Sequence, residues 1–184
     1  MPEASSVVAV SDSAKRRIFD MLDVDGDGVI SQSEYLARVD RVASAMGRGA
    51  ADPVVDAARN AHEVVWQDMD GDHDGRVSFE EYRRWAGHET FDRSCRPALG
   101  SLFDIADFDG DGRLDRDEFT RLRVAAGNVG TDADAAFDGL DVDRDGFVDR
   151  DAYLAGIRDF VTTGVSAMAA VYGADESALN PRRA

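Results

Sequence analysis

The chain has 184 residues, with 37 acidic side chains against 21 basic ones and a formal net charge of -16. Neutralising nucleic-acid phosphates or an anionic membrane takes clustered Lys and Arg, which this balance does not supply, so neither is an expected partner. At 43% hydrophobic residues the composition is globular, and a chain this long can bury roughly 70% of its unfolded surface, as one domain or two closely packed halves.

A lone Cys95 offers no intramolecular disulfide and fits a reducing compartment. The first residues carry no positive charge before the apolar stretch Val7–Val10, which is far shorter than the core of a secretory leader. The most apolar segment, Val165 to Ala174, falls well short of the ~20 residues that span a bilayer. The expectation is a cytoplasmic monomer. Lys15 is the only lysine beside 20 arginines, and Ala, Asp, Gly and Val abound, the bias of a GC-rich and hence bacterial genome.

Along the chain, helical patterns alternate with acidic loops. Ser11 or Ser13 is positioned to cap a first helix carrying Ile18, Phe19 and Leu22, which leads into DVDGDGVISQSE from Asp23. The helix leaving that loop carries Tyr35, Leu36, Val39, Val42 and Met46 and ends at Gly47 and Gly49, in a linker closed by Asp52 and Pro53. Pro53 suits the first turn of the next helix, with Val55, Ala58, Val65, Trp66 and Met69 on one face. DGDHDGRVSFEE follows from Asp70. Leu99, Leu102 and Phe103 after Pro97 lead into DFDGDGRLDRDE from Asp107, and a fourth helix, with Thr131 as its expected cap and Ala135, Phe137 and Leu140 on its face, leads into DVDRDGFVDRDA from Asp141. A last helical stripe, Val161, Val165, Met168 and Tyr172, follows.

All four loops read D-x-D-x-D-G, the pattern of the EF-hand calcium loop. Oxygens at loop positions 1, 3 and 5 converge on a hard cation, the Gly at position 6 makes the sharp turn, the backbone carbonyl of position 7 faces the ion, position 9 binds directly or through water, and a Glu at position 12 closes the shell with two oxygens. Three complete sets follow: Asp23, Asp25, Asp27, Val29, Ser31 and Glu34; Asp70, Asp72, Asp74, Arg76, Ser78 and Glu81; Asp107, Asp109, Asp111, Arg113, Asp115 and Glu118. In the fourth, Asp141, Asp143, Asp145, Phe147 and Asp149 are in place but position 12 is Ala152, so at most a weak, hydrated ion is expected there, and Mg2+ is the competitor that tolerates the loss best. At position 7 the side chain is expected to be nearly irrelevant, because the backbone is the ligand. Four or five carboxylates per loop repel one another until a dication arrives, so binding should be strong and coupled to ordering of the helices.

The flanks repeat too. An aromatic precedes each loop by four residues (Phe19, Trp66, Phe103, Phe137) and another follows position 12 (Tyr35, Tyr82, Phe119, Tyr153). These are expected to pack across their own loop as a clamp on its two helices. Position 8 is Ile30, Val77, Leu114 or Val148, and such residues favour short cross-loop pairings, Ile30 with Val77 and Leu114 with Val148. The fold expected is all-α, four EF-hands in two pairs packed as one compact body with short β pairings between loops, residues 1–90 holding the first pair and 91–184 the second with the tail. Loop starts separated by 47, 37 and 34 residues, a degenerate hand and an apolar tail make the chain resemble the sarcoplasmic calcium-binding proteins and their bacterial relatives of the calerythrin type. That resemblance, spanning about Ser11 to Tyr172, implies two halves packed into one body; the chain departs from the family's pattern in which hand is degenerate, and that leaves the subfamily open.

No catalytic grouping is evident. His62, His73 and His88 lack metal-ligand spacing, Cys95 lacks a base, and there is no phosphate-cradling glycine motif. The reading is a calcium buffer or transporter, not an enzyme. A sensor gripping a target protein is the main rival, disfavoured because only Met21, Met46, Met69 and Met168 could furnish a Met-rich groove, and because the tail stripe is placed to cover the second pair. A resemblance to calcium-triggered photoproteins and luciferin-binding proteins would require an enclosed polar-apolar cavity, for which three histidines are a thin supply.

Overall fold

The computed structural model describes residues 3–128 and 132–163. Helices and loops alternate as α1 (Glu3–Leu22), β1 (Val29–Ser31), α2 (Gln32–Ala45), α3 (Pro53–Met69), β2 (Arg76–Ser78) and α4 (Phe79–Trp85). The chain continues through α5 (His88–Thr90), a π-helical turn (Phe91–Cys95), α6 (Arg96–Ala106), β3 (Arg113–Leu114), α7 (Arg116–Ala125), α8 (Ala133–Leu140), β4 (Val148–Asp149) and α9 (Arg150–Thr163). Each loop therefore sits between an entering and a leaving helix.

The strands pair two by two and antiparallel, Ile30 opposite Val77 and Leu114 opposite Val148. All four of these side chains are fully buried, so each short ladder is both a hydrogen-bonded tie and an apolar peg between neighbouring loops. Helices from the two pairs interlock: α3 lies along α6, α2 against α6 and α7, and α1 against α9. One contiguous apolar core results, running from Ala14 to Val161, so four hands in two pairs form one body.

Three local expectations are corrected. Helix α1 begins at Glu3, so Ser11 and Ser13 are interior positions and not caps. The cap of α8 is Asp132, whose carboxylate accepts the Ala135 N–H at 2.9 Å; Thr131 lies outside the described residues, as does the stripe beyond Val161. The aromatic clamps run between hands: Phe19 meets Tyr82 (5.9 Å between ring centres) and Tyr35 meets Trp66 (5.9 Å). Likewise Phe103 meets Tyr153 (5.7 Å) and Phe119 meets Phe137 (5.5 Å). The antiparallel ladder between two loops sets the entering helix of one hand beside the leaving helix of its partner, so each ring finds its mate on the other hand.

The linker after α2 is more than a spacer. Gly47 turns the chain at a φ of 68°, a left-handed angle that glycine adopts without a Cβ clash. Arg48 then donates from Nε to the Ile105 carbonyl and from a terminal nitrogen to the Asp107 carbonyl, both at 2.8 Å. A guanidinium at these last carbonyls caps α6 where it delivers the third loop. Pro53 stands in the first turn of α3, as the sequence predicts, and Asp52, read from the sequence only as part of the linker, caps that helix by receiving the Val54 N–H at 2.9 Å.

Candidate metal centres

Each loop is wound by its own carboxylates. In the first, Asp23 accepts the Asp27 N–H (3.1 Å) and the Gly28 N–H (2.9 Å) on its two oxygens, Asp25 accepts Asp27 N–H (3.1 Å), and Asp27 accepts Val29 N–H (3.0 Å). The same lattice recurs from Asp107, with Asp111 and Gly112 N–H groups at 3.1 and 2.9 Å, and from Asp141, with Asp145 and Gly146 N–H groups both at 3.1 Å. In the second loop Asp70 accepts Gly75 N–H at 3.1 Å and Asp74 accepts Arg76 N–H at 2.8 Å.

The result is convergence of like charge. Carboxylate oxygens of Asp23, Asp25 and Asp27 lie within 4.8 Å of one another, as do those of Asp70, Asp72 and Asp74, of Asp107, Asp109 and Glu118, and of Asp141, Asp143 and Asp145. Asp23, Asp70 and Asp141, at position 1, are buried; their partners in these groups open to solvent, Glu118 being half-buried. Three hard oxygens at this spacing, with no imidazole or thiolate among them, are a donor set for calcium or magnesium rather than for zinc or copper.

Position 12 separates the loops. Glu34 folds back across the first loop: one oxygen accepts the Val24 and Asp25 N–H groups (3.1 and 3.2 Å), and the other accepts the Ser31 N–H (2.9 Å) and hydroxyl (2.6 Å). Glu118 likewise takes the Phe108 N–H at 3.0 Å and the Asp115 N–H at 3.0 Å, and Glu81 the Ser78 N–H at 2.8 Å and hydroxyl at 2.7 Å. Partial burial works against ionisation of Glu34, but the bonds from Ser31, Asp25 and Val24 outweigh it and hold the carboxyl below its usual range. Bonds from Ser78 do the same for Glu81. In the fourth loop Asp149 accepts the Ala152 N–H at 2.7 Å, which caps α9, and Ala152 has no oxygen to return.

Position 9 thus has a role that reading it as a ligand overlooked. Ser31, Ser78 and Asp115 are the N-caps of α2, α4 and α7 in reciprocal capping boxes with Glu34, Glu81 and Glu118. The signal was present as S-x-x-E and D-x-x-E. Position 7 also does more than offer a carbonyl: Arg76 of the second loop reaches Asp27 of the first (3.7 Å), and Arg113 reaches Asp111 (3.1 Å) and Asp145 of the fourth loop (3.5 Å). These side chains put positive charge between paired loops, so their identity matters. At position 4 the backbone is left-handed throughout, with Gly26 (72°) and Gly110 (75°) but also His73 (60°) and Arg144 (59°).

Two further titratable candidates lie against the core, His62 buried and Cys95 half-buried, while His73 is exposed. Burial pushes the Cys95 thiol up to about 12, which keeps it protonated and unreactive. Burial, followed by the nearby Arg38 charge, lowers His62 to about 4, and its Nδ1 bonds the Ala58 carbonyl at 2.9 Å. Both residues line an internal cavity. Among the described residues no helix is long and apolar enough to cross a membrane.

Comparison with known proteins agrees with this geometry. The EF-hand domain pair family model matches residues 12–87, and an EF-hand model matches residues 99–122. Calerythrin of Saccharopolyspora erythraea is 27% identical over 161 residues, covering 82% of this chain and 90% of calerythrin. The rice protein named "Probable calcium-binding protein CML16" (Oryza sativa subsp. japonica) is 32% identical over 120 residues, and the match spans 62% of its length. Among solved structures, a Streptomyces coelicolor calcium-binding protein described in connection with calcium-mediated regulation superposes with a TM-score of 0.68 at 27% identity, covering 82% of this chain and 98% of that one. The coelenterazine-binding protein of Renilla muelleri gives 0.67 at 26% identity, covering 94% of this chain and 99% of that one. The chain is an EF-hand calcium-binding protein with four candidate loops, similar to calerythrin.

Proposed function

We propose that the protein is a cytoplasmic calcium buffer or transporter with three tight sites and a weak fourth. The single observation that carries this is the contrast at position 12: Glu34 and Glu118 already reach back over their loops, Glu81 stands in the same capping box, and Ala152 offers no counterpart. The side chains of Asp23, Asp25, Asp27, Ser31 and Glu34 would hold one ion with the Val29 carbonyl. Asp70, Asp72, Asp74, Ser78 and Glu81 with the Arg76 carbonyl, and Asp107, Asp109, Asp111, Asp115 and Glu118 with the Arg113 carbonyl, would hold two more. A bound calcium neutralises the mutual repulsion of the converged carboxylates; Mg2+ competes for the same oxygens. The pairs fall within residues 1–90 and 91–184, in a monomeric chain.

Buffering rather than sensing is supported by the surface. Met46 and Met69 are buried and Met21 is packed against the core, and three of the exposed large apolar residues, Val24, Phe108 and Val142, stand singly at loop position 2 instead of forming a groove. The test is a hydrophobic dye added to the calcium-free protein. Its fluorescence stays level or falls when calcium is added. A strong calcium-induced rise would instead favour a sensor with a helical target.

A further inference from the structure

The first hand holds the third at the ends of both of its helices. Arg41 lies on α2, the helix leaving the first loop, and Arg48 in the linker after it. Arg48 donates to the Ile105 and Asp107 carbonyls, at 2.8 Å each, where α6 enters the third loop. Arg41 donates from Nε at 3.3 Å to the carbonyl of Ala125, the last residue of α7, which leaves that loop. A cation at the carbonyl end of a helix meets the negative pole of its dipole and satisfies groups the helix itself leaves unbonded.

Asp107 is both the C-cap of α6 and position 1 of the third loop, where its carboxylate accepts the Asp111 and Gly112 N–H groups. Arg48 thus holds the backbone of a ligand residue that belongs to another hand. The guanidinium is itself fixed. Its side chain is 15% exposed, pairs with Asp52 at 3.3 Å and lies 5.4 Å from the ring centre of Phe108, position 2 of the third loop. At the other end of α2, in its first turn, stands Glu34, position 12 of the first loop. The helix has 14 residues, a stiff rod of about 21 Å that joins the closing ligand of one site to the arginines that hold another.

We propose that Arg48 and Arg41 are positioning residues that couple the first calcium site to the third. The inference rests on the reading of both loops as calcium sites. Calcium at the first loop fixes Glu34 and with it α2; the ion at the third loop then meets helices that the arginines already hold in order. By linkage the effect is reciprocal, each ion favouring the other. A positive charge beside a calcium site would by itself weaken binding, but the two charge-assisted bonds to carbonyls outweigh it.

The two sites are read separately from the Gly28 and Gly112 amide signals of the full chain, in NMR titrations with free calcium set by a chelator. In an otherwise unmodified chain, Glu34→Gln weakens the third site about five- to tenfold, and Glu118→Gln weakens the first to a similar extent. Arg48→Lys keeps the charge but lacks the planar fork that reaches two carbonyls. On that background the same two changes shift the distant site by less than about twofold. In the calcium-free protein Arg48→Lys also speeds amide exchange at Asp107, whose N–H bonds the Phe103 carbonyl at 2.8 Å, because the end of α6 is released. No coupling in the otherwise unmodified chain, or an unchanged exchange rate at Asp107 in Arg48→Lys, overturns the proposal. So does coupling that survives Arg48→Lys, which would then run through the packing of α3 along α6. A third loop that takes up no calcium overturns the site reading as well. Should Arg48→Lys not fold, Arg41→Lys takes its place with the same loss of coupling expected.

Discussion

In the loop that begins at Asp23, a glutamate from the leaving helix reaches back to the amides of the second and third loop residues; in the loop that begins at Asp141, the same helical position holds Ala152. Yet the two loops are wound by the same bonds, from position 1 to the amides of positions 5 and 6. The turn is therefore encoded by the D-x-D-x-D-G segment alone, and position 12 is not needed to shape it. What position 12 adds is closure: it brings a charged oxygen from one helix to the far side of the loop, linking ion capture to the placement of that helix.

The largest effects come from exchanging the two endings. Glu34→Gln or Glu118→Gln removes a charged, two-oxygen ligand and lowers affinity at its own site by on the order of 100-fold, about 2.7 kcal/mol, read by calorimetry as the loss of one tight equivalent. Ala152→Glu does the converse and adds a fourth tight equivalent, because the rest of that loop is already wound. Failure of Ala152→Glu to gain a site would show that something besides position 12 distinguishes the fourth loop.

Acid sharpens the comparison in a second way. Glu34 and Glu81 are held below the ordinary glutamate value of 4.5 in the folded chain. A carboxyl depressed on folding contributes stability that is fully present above its unfolded pKa and is lost as the pH falls through the folded value. The capping boxes of α2 and α4 therefore persist in the calcium-free protein down through pH 4.5 and open below it. A carboxyl-carbon NMR titration shows both residues with midpoints under 4.5; midpoints at or above it contradict the capping geometry.

Two smaller effects follow from positions 4 and 7. His73→Gly and Arg144→Gly relieve a left-handed backbone angle at a side chain with a Cβ, and each stabilises the calcium-free protein by about 0.5–1 kcal/mol after the glycine's entropy in the unfolded chain is counted. Denaturant midpoints check this, with Gly26 and Gly110 as the natural precedent in the other two loops. Arg113→Ala removes a cation that sits between Asp111 and Asp145. Calcium affinity of the second pair rises by a few-fold at low salt, on the scale of 0.2–1 kcal/mol for an exposed ion pair, and the gain shrinks as salt is added.

What was legible in the sequence was local or repeated. The four loops and the helix start at Pro53 depend on residues within about a dozen positions of one another, and the pairings of Ile30 with Val77 and Leu114 with Val148, 47 and 34 residues apart, were legible because the same apolar position recurs in every loop. The partners of the aromatic rings were not legible, because Phe19 and Tyr82 are joined by the pairing of two hands and not by the span of one. Arg48 capping α6 at Ile105 and Asp107, and Asp68 gathering Trp85, Arg93 and Ser94, are likewise long-range. Burial of Arg38 and His62 could not be read from α2 and α3 alone: each helix is amphipathic by itself, and the cavity exists only where α9 and the π-helical turn close over them.

The most direct test of three complete sites and one lacking its last ligand is to count ions on the intact chain. Native mass spectrometry at low micromolar free calcium gives a dominant species with three calcium ions, and a fourth appears only as calcium approaches the millimolar range. A dominant species with one or two ions, or four ions of comparable affinity, contradicts the account.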